Sequence, residues 1–310
     1  MATTLTKPAS TFCGVPFCEL DSLAAGEADV VVIGAPHGTP YEPGVPSHAA
    51  NAPTAVREAL GWFSVGPDQL DFDTAEPVFA GARVVDCGDV QGDLFDGAAN
   101  RERIEATTRA VLAAGAVPII LGGDDSTPIP MIAAFEDRGP VTIVQVDAHI
   151  DWRHEREGVT HGYSSTMRRA SEMPWVTAMI QIGARGPGSA RMSERADALD
   201  WGVQFFTGRD VHTDGVGPAI GAVRPGSDVI LAIDVDGIDP SVVPGVILPA
   251  FGGLTYQQML DVIHGVSARA RIVGVDFVEF VPERDPSGSG AQAIARLASN
   301  TIAMIARQRR

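Results

Sequence analysis

The chain is predicted to fold as a three-layer α/β/α sandwich around a mostly parallel sheet. Two observations carry this. Short, β-branched apolar runs recur along the chain, most of them ending on Gly or Asp, and segments with apolar residues at helical spacing lie between them. A closed barrel is the alternative arrangement of the same alternation. In either, ligands sit beyond the carboxyl ends of the strands.

In order, the runs are ADVVVIG ending at Gly34, ARVVDCG at Gly88, AVPIILGG at Gly123, VTIVQVD at Asp147, VTAMIQIG at Gly183, DVILAIDVD at Asp236 and RIVGVDFVEF at Phe280. Each is apolar at successive positions, the pattern of a strand covered on both faces. Helical spacing of apolar residues appears over 52–60, 101–114, 189–199, 255–268 and 291–306, each segment offering one apolar stripe to a sheet.

With 310 residues and 45% hydrophobic content, the chain can bury one large core. Nothing resembles a linker, so residues 21–310 read as a single domain preceded by a peripheral arm, 1–20. The basic tail 307–310 reads as a solvated end. A net charge of −16 disfavours nucleic acid and anionic membrane surfaces, and favours small cations near an acidic cleft. The amino terminus, MATTLTKPASTFCGVPF, lacks the basic flank and apolar run of a secretion signal, so a cytoplasmic location is expected. Cys13, Cys18 and Cys87 show no zinc-type spacing and read as buried free thiols.

The strongest chemical signal is V-D-A-H-I-D. Asp147, His149 and Asp151 fall at alternate positions at the end of an apolar run, which on an extended strand would project them from one face. Two carboxylates held a few ångströms apart repel by several kcal/mol at an effective dielectric of about 20, and a divalent cation removes that cost. Asp234 and Asp236 repeat the spacing at the end of another run, with Asp239 just beyond. A lone Asp at such a place commonly caps a turn, which is the reading for Asp239. The other five together read as a metal site of mostly oxygen ligands, suited to manganese or a similar hard ion.

G-G-D-D-S (122–126), D-A-H-I-D, H-G at His161, I-D-V-D-G-I-D-P followed by P-G at Pro244, and E-F-V-P-E-R-D from Glu279 occur in this order. Together they resemble the ureohydrolase family of arginases and agmatinases, most nearly its agmatinase-like members, from about Phe12 to the carboxyl-terminal helix. The resemblance implies an arginase-like sandwich with a roughly eight-stranded sheet. It implies two divalent ions per chain, Mn2+ first and Ni2+ as the alternative, bridged by a hydroxide that attacks a guanidinium carbon. Carried over, Asp147 and Asp234 bridge the ions, His149 and Asp236 complete one, and Asp151 serves the other and the hydroxide. His161 matches a proton shuttle, and Glu279 matches the carboxylate that pairs with the guanidinium.

Two departures stand out. Asp125 occupies the place of a metal-binding histidine, so the ligand set Asp125, Asp147, His149, Asp151, Asp234 and Asp236 holds five carboxylates and one imidazole. Two divalent ions would leave it one negative charge, which attracts a guanidinium and weakens Lewis acidity. The stretch 44–57 carries V-P-S-H-A-A-N-A-P in place of the family's G-x-R-x-G-P-x-x-I-R. His37, in the G-A-P-H-G loop, is a minor candidate for the pocket and more simply a packed turn residue.

The expected substrate is a small guanidino compound: agmatine, a guanidino acid, guanidine itself, or a substituted guanidine or biguanide. Trp152 and Arg153, with His154 and Arg156 in the same loop, are candidates to meet its tail, alongside His161 and Glu279. The family implies a homo-oligomer, trimer or hexamer. The principal alternative is a non-catalytic partner subunit assembled with an active paralogue, suggested by Asp125. A single-metal deacetylase fits poorly because the aspartate cluster is doubled.

Overall fold

The computed structural model describes residues 5–61, 66 and 69–310, so the first four residues of the expected arm lie outside the described residues. The strands are β1 (Leu5–Thr6), β2 (Val30–Ala35), β3 (Leu70–Asp71), β4 (Glu76–Pro77), β5 (Val84–Val90), β6 (Val117–Gly122), β7 (Val141–Val146), β8 (Val176–Ile182), β9 (Gln204–Phe206), β10 (Asp228–Asp234) and β11 (Arg271–Val278). The α-helices are α1 (Ala52–Glu58), α2 (Gly97–Ala113), α3 (Pro128–Ala133), α4 (Thr166–Ala170), α5 (Met192–Trp201), α6 (Gly208–Asp214), α7 (Gly217–Ala222), α8 (Tyr256–Arg269) and α9 (Ser289–Gln308).

Among the described residues, nine strands form one sheet in the order β1-β5-β2-β6-β11-β10-β7-β8-β9, while β3 and β4 make a small separate ribbon. All neighbours pair parallel except β1, which runs antiparallel to β5. The expected three-layer sandwich is present, with one strand more than expected. Its apolar runs are continuous because both faces are covered. Val30 and Val32 face a core shared with α1, α8 and α9, whereas Val31 and Ile33 face the opposite core with α2, α3 and α4. All seven runs became strands. The missed elements, β1, β3, β4, β9, α3, α4, α6 and α7, have two to seven residues each, too short for periodicity to register.

Strand order creates the crevice that matters. The chain passes from β6 to β7, and later inserts β11 and β10 between them. The loops leaving β6 and β7 therefore diverge over the carboxyl ends of the inserted pair, the position where open α/β sheets bind ligands. Two glycines allow the loop after β6 to run close to its neighbours. A Cβ on Gly122 would stand 2.5 Å from Val278 Cγ1, and one on Gly123 would stand 2.9 Å from the Pro36 carbonyl.

The arm expected to be peripheral packs into the body. Phe12 is 1% exposed within the α1/α9 core, and its N–H donates to Asp86 Oδ2 at 2.9 Å. The same carboxylate receives Arg57 Nε from α1 at 2.8 Å, so arm, helix and β5 are joined at one buried anion. An apolar phenylalanine flanked by Thr and Cys carries no periodic signal, which is why composition placed it outside. Phe12→Ala should cost about 3–5 kcal/mol of unfolding free energy, read from the urea midpoint at unchanged slope. A loss under about 1 kcal/mol would show that the arm detaches without consequence.

Candidate metal centre

Four adjacent strands, β6, β11, β10 and β7, deliver the acidic residues. Asp125 lies just beyond β6, Asp147, His149 and Asp151 just beyond β7, Asp234 and Asp236 at the end of β10, and Glu279 immediately after β11. The residues converge, but not by strand alternation. β7 ends at Val146, and the chain then turns: Asp147 Oδ1 accepts the N–H of His149 at 2.6 Å. Asp234 Oδ1 accepts the N–H of Asp236 in the same way at 2.8 Å. The D-x-H and D-x-D spacings thus encode turns in which a carboxylate caps the backbone two residues on. This folds the second ligand back beside the first.

Among the described residues two groups can each surround an ion. Asp147, His149 and Asp236 place one ligand atom apiece within 4.8 Å of one another, and so do Asp125, Asp147 and Asp151. Asp147 belongs to both. Asp234, matched by resemblance to a second bridging ligand, is buried beside them but falls outside both groups. Nδ1 of His149 stands 3.0 Å from Asp236 Oδ2 and 3.3 Å from Asp147 Oδ1. The amide of Gln145, buried in β7, donates to Asp147 Oδ2 at 2.6 Å and to Asp151 Oδ2 at 3.0 Å. Gln181 of β8 in turn donates to Gln145 Oε1 and to the Ile150 carbonyl.

Electrostatics explain what such a cluster requires. Burial and the neighbouring carboxylates Asp151 and Asp147 push Asp125 well above the usual carboxylate range. Burial and Asp147 do the same to Asp151, and burial with Asp236 and Asp147 does it to Asp234. Asp236 is raised to about 6 by burial and Asp147, with His149 opposing. Burial disfavours a charged His149, yet its hydrogen bonds to Asp147 and Asp236 push it up to about 12. Asp125 Oδ2 is buried without a hydrogen-bond partner. A buried acceptor left unmatched, amid carboxylates that repel one another, fits a site completed by cations. The oxygen-rich donor set suits hard divalent ions.

Backbone strain marks the same place. Asp151 and Glu279 are non-glycine residues with φ of 43° and 68°, each costing about 1–3 kcal/mol. Glu279 is held there because its N–H donates to the Gly123 carbonyl at 2.9 Å, while its Oε1 accepts the N–H of Asp125 at 2.8 Å.

A cavity of about 130 Å³ opens at these residues, its lining including Asp125, His149, Asp151, Asp234, Asp236 and Glu279 together with Trp152, Arg153, Arg156, Tyr163, Glu194 and Leu248. Trp152 is 3% exposed and meets Trp201 edge to face. Arg153 Nε lies 3.6 Å from Glu194, so its charge is already shared. Arg156 stacks over the Tyr41 ring at 5.0 Å. Its turn is a two-residue hairpin, with Arg156 and Val159 exchanging backbone hydrogen bonds around Glu157 and Gly158, whose φ values are 55° and 80°.

His161 is not among the residues that line this cavity. It bonds through Nδ1 to Thr160 Oγ1 at 2.8 Å, and its pKa is lowered by burial and by Arg101 and Arg169. His37 packs against Gly92, and Asp239 caps the turn through Ser241, Gly252 and Gly253. Sequence reading missed His48, whose Nε2 lies 2.5 Å from Glu279 Oε2, and the Tyr41–Tyr163 pair. The one signal for His48 was its position inside the stretch that departs from the family pattern.

Two outcomes are expected. Because Asp147 is shared, Asp147→Asn should lower cation binding at both groups, whereas Asp125→Asn should lower it at one, as measured by elemental analysis of reconstituted protein. The raised carboxylates stabilise stripped protein at low pH and withdraw that stability as pH climbs through their folded-state values. Cations bind the deprotonated forms. The melting-temperature gap between loaded and stripped protein should therefore widen from about pH 5 to about pH 8; a constant gap would separate the ions from these carboxylates.

Comparison with known proteins agrees with this geometry. The profile of the arginase family matches residues 28–304. The mitochondrial agmatinase of Gallus gallus is 31% identical over 277 residues, covering 87% of this chain and 78% of the relative. The mitochondrial guanidino acid hydrolase of Homo sapiens is 30% identical over 277 residues, covering 87% and 76%. The solved structure of proclavaminate amidino hydrolase from Streptomyces clavuligerus superposes with a TM-score of 0.84 at 27% identity, covering 97% of this chain and 98% of that one. Turn-built aspartate groups at the switch point of the sheet and a family match over nearly the whole chain lead to one conclusion: the chain belongs to the arginase family and is a metal-dependent ureohydrolase that hydrolyses a guanidino compound.

Proposed function

We propose that the substrate is a guanidino acid, cleaved with water to urea and the corresponding amino acid, in a site holding two divalent cations, manganese first and nickel second. The observation that supports this reading is charge placement: Glu279 and Arg156 line one cavity. Glu279 offers a carboxylate that a planar guanidinium meets with paired N–H groups. Arg156, fixed by its hairpin and by Tyr41, meets a carboxylate tail and repels the second cation of agmatine. The similarity to a guanidino acid hydrolase is consistent with this choice.

Asp147, His149 and Asp236 would hold one ion, and Asp125, Asp147 and Asp151 the other, with Asp234 alongside. Bound divalent cations supply a hydroxide nucleophile near neutral pH by acidifying water. The protein's own share is placement. Gln145 and the turn hydrogen bonds aim the carboxylates, Glu279 orients the guanidinium plane, and Trp152 and Leu248 screen the cavity from bulk water.

The test is metal content and urea release on the same reconstituted samples, across guanidino acids, agmatine, guanidine and biguanides. Two ions per chain and highest kcat/KM for a guanidino acid are expected, and Arg156→Ala should lower that value roughly 10- to 100-fold while leaving guanidine little changed. A preference for agmatine would overturn the substrate assignment. One ion or none with no urea from any compound would make the chain a partner subunit of an active paralogue.

A further inference from the structure

Glu279 is 4% exposed, and both of its oxygens are engaged: Oε1 by the N–H of Asp125 at 2.8 Å and Oε2 by His48 Nε2 at 2.5 Å. The ring of His48 also stands edge-on to Tyr163, a cavity-lining residue, at 5.4 Å. To an ionised carboxylate, which only accepts, His48 would donate through Nε2–H. When Nδ1 is protonated as well, the imidazolium cancels the charge a guanidinium seeks. Two cations then compete for one carboxylate.

We propose that His48 sets the charge of Glu279, so that a guanidinium docks on Glu279 by displacing one proton from His48. The proposal rests on Glu279 being the guanidinium receptor and adds to that reading the residue that gates it. His48 is a positioning residue: it acts on substrate through Glu279. The groups facing it are Glu279 from the end of β11, Asp124 from the loop after β6, Arg284 from the turn after Glu279, and Tyr163. Burial opposes a charged His48 and Arg284 does too, but the hydrogen bond and charge of Glu279, with Asp124 behind, raise its pKa above the ordinary histidine value. Below that raised value the pair is closed and substrate binds weakly; as pH rises through it, Glu279 is released and KM falls. On the acid side the expected slope is about tenfold in KM per pH unit.

His48 is also the imidazole bonded to Glu279, whereas His161 is not among the residues that line the cavity. Its place is within the segment 44–57, where the sequence departs from the family pattern.

The experiment is calorimetry of metal-loaded protein with guanidinium chloride in buffers of different ionisation enthalpy, with urea as the neutral isostere. Wild type should release about one proton per guanidinium bound on the acid side, and none with urea. His48→Gln, which keeps an N–H for Glu279 and cannot titrate, should release none and show a flat KM over the same range. Should that variant fold poorly, the His48 ring proton of the wild type, followed by NMR, must lose its high pKa-side titration when guanidinium is added. Binding of guanidinium without proton release, or equal release by His48→Gln, overturns the role of His48 and leaves Glu279 as receptor. No binding of guanidinium to either protein overturns the receptor reading and this proposal with it.

Discussion

Mutual repulsion among buried carboxylates is the constraint on which the rest of the site depends. Asp125, Asp147, Asp151, Asp234 and Asp236 are all under 10% exposed, and water cannot screen them. Such a cluster persists in a folded chain only when its charge is neutralised, by protons at low pH or by cations at working pH. Gln145, held by Gln181, does part of this work by donating to Asp147 and Asp151, and His149 does part with its charge, but neither matches the number of oxygens. The metal dependence of the enzyme follows from that shortfall.

Holding the carboxylates together falls to the sheet. Parallel pairing of β6, β11, β10 and β7 brings four loops to one edge with their separations set by strand spacing. The loops then add two turns that return a ligand beside its predecessor, and two residues in left-handed backbone. Each strained residue costs of order 1–3 kcal/mol, small against the apolar core on either side of the sheet. Rigid strands thus carry irregular, tense loops, which is where precision of placement is needed.

Much of this was legible in the sequence because it is local. Apolar runs of six to eight residues, such as 228–234 and 271–278, announce strands, and paired acids two residues apart announce ligands. The spacing was informative for a different reason than alternation: in Asp147-x-His149 it records a backbone N–H caught by a carboxylate. What was not legible is non-local or too short. β9 has three residues, Phe12 finds its core only through β5 and α1, and His48 reaches Glu279 across 231 residues. His161 fitted a motif, yet a motif specifies neighbours along the chain and leaves the direction of the ring to packing. Its ring bonds to Thr160 Oγ1, and the charges of Arg101 and Arg169 lower its pKa.

Asp125 joins the two halves of the site. Its side chain belongs to one of the groups that could hold a cation, while its main-chain N–H holds Glu279 Oε1, so any shift of that loop moves the carboxylate cluster and Glu279 together. Where relatives are expected to carry an imidazole at this position, the carboxylate here makes the cluster more negative by a full charge. An imidazole reappears at His48, on the opposite oxygen of the same Glu279. A protonated His48 offsets the added charge, and an unprotonated one hands it to the substrate. The two departures from the family pattern, far apart in the chain, therefore act on one carboxylate and in opposite electrostatic senses, which is the arrangement expected when a carboxylate in place of a neutral imidazole is balanced by a titratable neighbour rather than by a fixed charge.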